Sequence, residues 1–445
     1  MSHLIPIVEF AKRLVQHHHI SATIFIPTTG TPPKSLVSVL ESLPENIHHQ
    51  FLQPVNVDGL PKDVRVEFVV SFIMQASLSS LRDALSCLKS KTKLVALVFD
   101  MFAHASMEVA KEFNLFNFLC CPLSAMALSF TFTLPKLDEE TVGEYKDLPY
   151  PVQVPGSVSF HGPELMAPVQ VRTDEVYKEY LLLSKRLSLV DGIMVNSFEE
   201  LEQDTILALP GGTPIYPIGP LIRSEPSNGS DWHECLKWLD DQPSGSVLFV
   251  SFGSGGALSL EQIHELAHGL EMSSHRFLWI LRSPNKVSFA SVFTDSSQND
   301  PLGFLPEGFL ARTVNRGLVL PSWGPQIEIL SHEATGGFLT HCGWNSTLES
   351  IVHGVPMIAW PLYAEQHMNA KMMTESLCLA LRLEMDENGI FRKEEIEKVV
   401  KELMEGDEGK KISKRLKELK TAAMRALSIG GSSMESLSKL VLQLN

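Results

Sequence analysis

The 445-residue sequence carries no cysteine framework. Its six cysteines (Cys87, Cys120, Cys121, Cys235, Cys342, Cys378) show no C-x-x-C spacing. That excludes a disulfide scaffold and a zinc knuckle and fits a reducing compartment. Positive charge is also short: 37 Lys and Arg stand against 52 Asp and Glu, a formal charge of −15. Nucleic acid and anionic membranes are therefore disfavoured as partners, and any phosphate must be held locally, by backbone dipoles. Uninterrupted apolar runs are missing too. Phe113 to Pro135 contains no charged residue, but Pro122 interrupts it, and Asn114, Asn117, Ser124, Ser129, Thr131 and Thr133 are spread through it. A buried strand followed by a helix explains this run better than a membrane span of about 20 apolar residues. The opening MSHLIPIVEFAKRL lacks the basic region and small-residue cleavage site of a secretory signal. The expectation is a cytoplasmic monomer without stable membrane insertion.

A hydrophobic content of 44% with 20% charged residues is that of a soluble globular chain, and the length implies two domains. Helical periodicity over 4–15 is followed by a strand at 20–27, a second strand around His49–Val55 and a helical stretch from Val69 to Leu88. LVALVFD (94–100) has the form of a buried parallel strand whose acidic end faces a cleft. A helix at Ser106–Glu112, strand Asn117–Cys121 and helix Leu123–Thr133 continue the alternation. A Pro/Gly-rich loop spans 138–168, and the alternation resumes to 209. This pattern predicts an α/β fold built on parallel sheets. Residues 222–231 are polar, with Pro and Gly, and read as a linker. The second half restarts with SVLFVSFG (246–253) and alternates again through VPMIAWP (355–361), ending in charged helices and an amphipathic tail. The expected boundaries are a first domain over 1–222, a linker over 223–231, a second domain over 232–424, and a tail over 425–445 packing back on the first domain. Two doubly wound sheets place the natural ligand site at the carboxyl ends of the strands, in the crevice between the domains.

The densest chemistry lies between Trp323 and Gln366. GGFLTH reads as a strand, CGWN as a tight turn, and STLESIVHG as a helix stopped by Gly354 and Pro356, with Ser346 and Thr347 as hydroxyl caps. A helix N-terminus opening straight after a strand favours a phosphate. Trp323 and Trp344 offer stacking faces, Glu349 can accept from ribose hydroxyls, and Glu365 and Gln366 can hydrogen-bond a hexose. Together these suit a nucleotide sugar.

Other motifs carry less. His264-Glu265-Leu266-Ala267-His268 is a literal H-E-x-x-H string. Ile263, Leu266, Ala267 and Leu270 form the buried stripe of its helix and leave both histidines on the polar flank, with Ser274 where a third ligand would stand. Two solvated histidines are the favoured reading, and a zinc hydrolase is the alternative. His17-His18-His19 suits a helix C-terminus. Gly253-Ser254-Gly255-Gly256 follows a strand but lacks a dinucleotide fingerprint, so a phosphate loop and a plain turn stand level there. Asn228-Gly229-Ser230 is a glycosylation sequon that a cytosolic protein would not use.

The stretch beginning WGPQ, containing HCGWNS and ending AEQ resembles the signature box of plant UDP-dependent glycosyltransferases. VSFGSGG and the VFDMF strand end agree with that family, and the likeness covers nearly the whole chain. Within the family it is most similar to phenol-directed, hydroquinone-glucosylating members. The resemblance implies a GT-B fold of two facing Rossmann-like domains and an inverting transfer of glucose from UDP-glucose to small phenols, giving β-glucosides without a metal or other cofactor. It implies Trp323 on uracil with Gln326 nearby, and Glu349 on the ribose. His341, Asn345, Ser346 and Ser254 would hold the diphosphate, and Trp344, Glu365 and Gln366 the hexose. Gln at 366 is linked in the family to glucose. Glu365 stands where many members have Asp.

The family's catalytic His and Asp map to His3 and Asp100. The imidazole would take the acceptor's proton while the carboxylate orients the ring. The acceptor pocket is expected at Phe102, Met126, Phe130 and the 138–168 loop. Members carry a strand of about a dozen residues before that histidine, whereas this sequence starts at Met1-Ser2-His3. The expectation is therefore unpaired strand edges, a loosely positioned His3, and weak or no activity beside an active form carrying that strand. Flavonoid or monolignol glucosylation, and UDP-sugar binding without turnover, are the alternatives.

Overall fold

The structure is a computed structural model that describes residues 3–61, 64–223, 233–284 and 300–444. Apart from Arg223, the expected linker at 223–231, with its sequon, lies outside the described residues, as do residues 285–299. The chain divides into two compact units, Met1–Ile222 with Arg425–Asn445, and Arg223–Met424. Both are α/β, and among the described residues the strands within each sheet pair in parallel, as the alternation of short apolar runs and amphipathic helices predicts.

In the first unit β1 (Ala22–Ile26) pairs with β2 (Ile47–Phe51), and a second sheet runs β3 (Ala96–Asp100), β4 (Phe116–Cys121), β5 (Gly192–Val195), β6 (Ile215–Pro217) in that spatial order. Among the described residues no strand joins the two sheets, so β1 and β3 each stand at an edge. Helix Leu4–His18 packs on both. Its Val8 and Ala11 cluster with Ile24, Ile26 and Ile47, while Phe10 and Leu14 join Phe118, Cys120 and Met194. Arg13 on the same helix donates to the carbonyls of Ile218 and Pro220, both at 2.5 Å, and burial holds its pKa down to about 10. The terminal helix Ser432–Leu442 completes this cluster through Met434, Leu437 and Leu440, and Ser433 donates to the Gly219 carbonyl at 2.5 Å. Each fully buried Leu or Phe there contributes about 1.5–3 kcal/mol.

The apolar run from Phe113 divides into β4 and helix Ala125–Glu140, which starts two residues later than expected and continues through Pro135. Its N-terminus is occupied internally. Ser124 Oγ accepts from the Ala127 amide at 3.2 Å, and the Glu202 carboxyl accepts from Ala125 and Met126, both at 2.9 Å. Burial pushes the Glu202 pKa up, against the pull of Ser197 and those two amides. Among the described residues no helix is long and apolar enough to cross a membrane. The expected helical stretch from Val69 to Leu88 is two helices, Val66–Ala76 and Leu78–Lys89, because the Ser77 hydroxyl turns back onto the Ile73 carbonyl at 2.8 Å. The strand expected at 49–55 ends at Phe51. The 138–168 stretch contains 3-10 turns at Tyr145–Asp147 and Gly162–Glu164 and a Val152–Phe160 bridge.

The second unit holds a six-stranded sheet. Its strands are β7 (Val247–Ser251), β8 (Arg276–Leu281), β9 (Gly317–Pro321), β10 (Thr335–Thr340), β11 (Met357–Ala359) and β12 (Ala380–Arg382), ordered β12-β11-β10-β7-β8-β9. β7 is buried along its whole length, as a central parallel strand covered on both faces must be. The winding reverses between β7 and β10. A doubly wound sheet opens a crevice for ligands at the carboxyl ends of the strands flanking such a reversal.

Candidate active site

The turns at the carboxyl ends of β7, β9, β10 and β11 carry most of the second unit's candidate residues. After β10 the chain runs His341, Cys342, Gly343 and enters helix Trp344–His353, closed by Gly354 at φ 76°. The helix begins earlier than its sequence suggests, with Gly343 as N-cap, so Ser346 and Thr347 do not cap it. They lie within the first turn. Ser346 Oγ accepts from Gln326 Nε2 at 2.8 Å, and Thr347 Oγ1 donates to the Gly343 carbonyl at 3.2 Å. A glycine cap brings no side-chain oxygen over the first-turn amides, unlike helix Ala125–Glu140 with its Ser124 and Glu202. The first turn of a helix after a strand is the kind of place that receives an anion.

His341 sits at 9% exposure between two glycines. A Cβ on Gly253 or Gly343 would lie 2.5 Å from its ring. Burial lowers its pKa to about 4, so the ring is neutral near pH 7, and its Nδ1 has no hydrogen-bond partner among the described residues. The imidazole thus links the β7 turn to the β10 turn. Ser254, in the β7 turn, is exposed, and its carbonyl accepts from Arg282 at the end of β8.

Glu349, one turn further along the helix, is 7% exposed and takes the same Gln326 amide at 2.6 Å. Burial raises its pKa to about 7, with the Gln326 hydrogen bond opposing. A half-ionised buried acid with one short hydrogen bond is a ready acceptor for hydroxyl donors. Trp323 follows β9 with its side chain 47% exposed, an open face as expected. Trp344 does not match it: at 2% exposure its indole is enclosed, because it fills the first turn of a helix packed on the sheet. Asn345 lies half-buried beside it.

Beyond β11, the Gln366 carboxamide oxygen accepts from the amides of Leu362 and Tyr363, at 2.9 and 3.0 Å, leaving its NH2 as the group it can donate. Asn369, which sequence reasoning missed, ties two turns together by donating to the Cys342 carbonyl at 3.0 Å and to Glu365 at 3.3 Å. Its position four residues after Glu365, on the same helix face, was the available signal. Ser322, Cys342 and Ala364 adopt left-handed φ of 69°, 64° and 54°. Non-glycine residues held there cost energy and gather where a turn must aim its neighbours.

In the first unit His3, the N-cap of helix Leu4–His18, places Nδ1 2.6 Å from Asp100 Oδ2 at the end of β3. The expectation of a loosely positioned histidine is therefore not what the structure shows. Asp100, 8% exposed, also accepts from the Phe102 amide at 2.9 Å, and the Phe102 ring lies 5.2 Å from that of His3. A carboxylate only accepts, so Nδ1 carries the hydrogen and Nε2 is the basic nitrogen. Phe102 is half-buried at this pair. Met126 and Phe130 are fully enclosed in helix Ala125–Glu140, which is apolar around most of its first half, and so do not line an open pocket there.

The H-E-x-x-H string has a structural explanation. Glu265 accepts from the Lys393 amide at 2.7 Å, at the start of helix Lys393–Glu405, while His264 lies 3.2 Å from the Phe304 carbonyl. Among the described residues no group of three or more His, Cys, Asp or Glu is placed to hold a metal ion.

The chain is similar to known proteins over nearly its whole length. The family model for UDP-glucoronosyl and UDP-glucosyl transferases matches residues 226–423. Hydroquinone glucosyltransferase of Rauvolfia serpentina is 54% identical over 99% of this chain and 95% of its own length. The chain belongs to the UDP-glycosyltransferase family. Its fold is the family's GT-B type. A Polygonum tinctorium UDP-glucosyltransferase capable of glucosylating indoxyl, solved with 3,4-dichloroaniline, superposes on this glycosyltransferase with a TM-score of 0.92 at 49% identity, covering 100% of this chain and 96% of that one. Phytolacca americana UGT2, solved with UDP-2fluoro-glucose and pterostilbene, gives 0.91 at 47%, covering 100% and 97%.

Proposed function

We propose that this UDP-glycosyltransferase moves glucose from UDP-glucose to the hydroxyl of a small phenol with inversion, forming a β-glucoside. The observation that carries the reading is the 2.6 Å contact between His3 and Asp100, which presents Nε2 as the base. The phenol gives its proton to Nε2 as its oxygen forms the new bond to the anomeric carbon. The bond from that carbon to the diphosphate oxygen breaks with its electron pair, and UDP leaves as the anion. Asp100 balances the imidazolium that results. A phenol's pKa near 10 makes this transfer easier than from an aliphatic alcohol.

The second unit supplies groups of the right kind for the donor. Trp323 suits uracil, and Glu349 with Gln326 suits the ribose hydroxyls. The first-turn amides of helix Trp344–His353, with His341, Asn345, Ser346 and Ser254, suit the diphosphate, while Glu365, Gln366 and the backbone at Trp344 suit the hexose. No step calls on a metal. The phenolic ligand of the Phytolacca protein and the activity named for the Rauvolfia relative support the acceptor class.

The test is incubation of the chain with UDP-glucose or UDP-galactose and a phenol panel, with product stereochemistry read from the anomeric proton coupling. A β-glucoside from UDP-glucose, with little product from UDP-galactose, is expected. His3→Ala should cost about 10²–10⁴ in rate while donor binding persists. An α-product, or a His3→Ala variant as fast as the parent, would sink the proposal.

A further inference from the structure

Several strand ends of the second unit meet at Gly253-Ser254-Gly255-Gly256, the turn after β7. The His341 ring lies against Gly253, where a Cβ would come within 2.5 Å of it, and the Tyr363 hydroxyl lies against Gly255 at the same separation. Neither position has room for a side chain, so the glycines let the neighbouring turns close on this one. From the end of β8 comes Arg282, whose Nη1 donates to the Ser254 carbonyl. The segments after β7, β8, β10 and β11 are thereby joined around one short stretch of backbone.

Arg282 differs from five other arginines of the chain. Arg65, Arg82, Arg172, Arg312 and Arg392 each pair with a carboxylate. Among the described residues Arg282 pairs with none. Its hydrogen bond there goes to a neutral carbonyl, and the Tyr363 side chain is the group that favours its charge. Arg282 is half-buried, and burial lowers its pKa, yet a guanidinium stays protonated at neutral pH. A cation withdrawn from water without a counter-charge costs free energy that an arriving anion offsets. Among the described residues Nε and Nη2 have no acceptor, so their hydrogens remain for such a ligand. The neighbours of Arg282 say which anion fits. Ser254 and His341 are residues assigned above to the diphosphate, and a chain of formal charge −15 has no broad basic field to take the place of one local cation.

We propose that Arg282 is the counter-charge of the donor's diphosphate: it positions the Gly253–Gly256 turn through the Ser254 carbonyl and stabilises the negative charge that gathers on UDP as it leaves. The inference rests on the donor reading above and adds the group that answers the charge of the leaving group. As the bond from the anomeric carbon to the diphosphate oxygen breaks, its electron pair stays on that oxygen, and UDP gains one negative charge. Arg282 exchanges no proton in this step. It stays protonated throughout and acts by charge, from a place that is fixed before the reaction begins.

The experiment separates charge from structure. Arg282→Met removes the charge and keeps an apolar stem, whereas Arg282→Lys keeps the charge and loses the planar fork. Binding of UDP, and of uridine by displacement, is measured by calorimetry at low and high salt for the parent and both variants. The single-turnover rate of glucose transfer from UDP-glucose to hydroquinone is measured alongside. Arg282→Met should weaken UDP about tenfold to a hundredfold, leave uridine affinity unchanged, and slow the single turnover by a similar factor. Its affinity for UDP should also depend less on salt than the parent's. Arg282→Lys should restore part of the UDP affinity. Melting curves verify the fold, and Arg282→Gln, polar and uncharged, takes the place of Met if Met impairs it. A ratio of UDP to uridine affinity unchanged in the neutral variant, a fall in both together, or an unchanged single-turnover rate overturns the role of Arg282 and leaves the donor reading standing. Failure of the parent to bind UDP overturns both.

Discussion

Glu349 offers the sharpest quantitative test of the donor site. Burial lifts its pKa from 4.5 to about 7, so near neutrality the unliganded chain holds it about half protonated. Ribose hydroxyls donating to the carboxylate favour its charged form, so donor binding must expel a proton below pH 7. If the bound-state pKa falls to about 4.5 or lower, affinity should weaken about thirtyfold between pH 8.5 and 5.5, approaching tenfold per pH unit at the acid end. UDP-glucose is the ligand to use, because the terminal phosphate of UDP itself titrates near 6. Calorimetry in buffers of different ionisation enthalpy counts the released proton. His341, at about 4, titrates below this window. Glu349→Gln should flatten the profile and at pH 8.5 weaken binding by about 1.5–3 kcal/mol, the loss of hydrogen bonds to a charged acceptor.

The same group predicts an opposite effect on the empty protein. Its pKa is higher folded than unfolded, so it favours the fold fully below pH 4.5, and that contribution is lost as pH rises through 7. The gap amounts to roughly 3 kcal/mol. Glu349→Gln should therefore raise the melting temperature at pH 8.5 while impairing donor binding. Affinity varying less than about threefold across the window, or a Gln variant keeping the parent's slope, would refute the reasoning.

Other substitutions separate positioning from folding. Asp100→Asn should lower the transfer rate by about 10²–10⁴ with donor affinity unchanged in calorimetry, because the ring loses the partner that holds its tautomer. Gly343→Ala places a methyl 2.5 Å from the His341 ring, so a loss of about 1–3 kcal/mol in denaturant unfolding together with weaker donor binding is expected. Trp323→Ala removes a half-exposed indole and should weaken UDP-glucose by about 1–3 kcal/mol with little change in melting temperature. Trp344→Ala removes an enclosed one and should cost about 3–5 kcal/mol of stability.

Short apolar runs such as LVALVFD and VLFVS made the parallel sheets legible, because strands covered on both faces leave no alternation to read. The three-residue strands at Ile215–Pro217 and Ala380–Arg382 were not legible, since neither carries a period long enough to see. The candidate residues were readable by type, but their environments were not. Trp323 and Trp344 look alike in sequence, and only the packing of one helix start on the sheet separates the open indole from the buried one. Ser346 reads as a cap until Gln326, twenty residues earlier, is found on its hydroxyl. Met126 and Phe130 fit an aromatic pocket by composition, yet their helix is apolar on most sides and encloses them.

Helix Leu4–His18 has a thermal consequence. It touches β1, the sheet β3–β6 and the terminal helix Ser432–Leu442, and His3 is its N-cap. Helix ends open more readily than whole domains unfold. Warming should therefore release the base from Asp100 before the sheet that holds Trp323 and Glu349 is disturbed. Inactivation would then precede loss of donor affinity on a temperature ramp. The upper working temperature would be set by one helix and the tail that braces it, rather than by the melting of either unit.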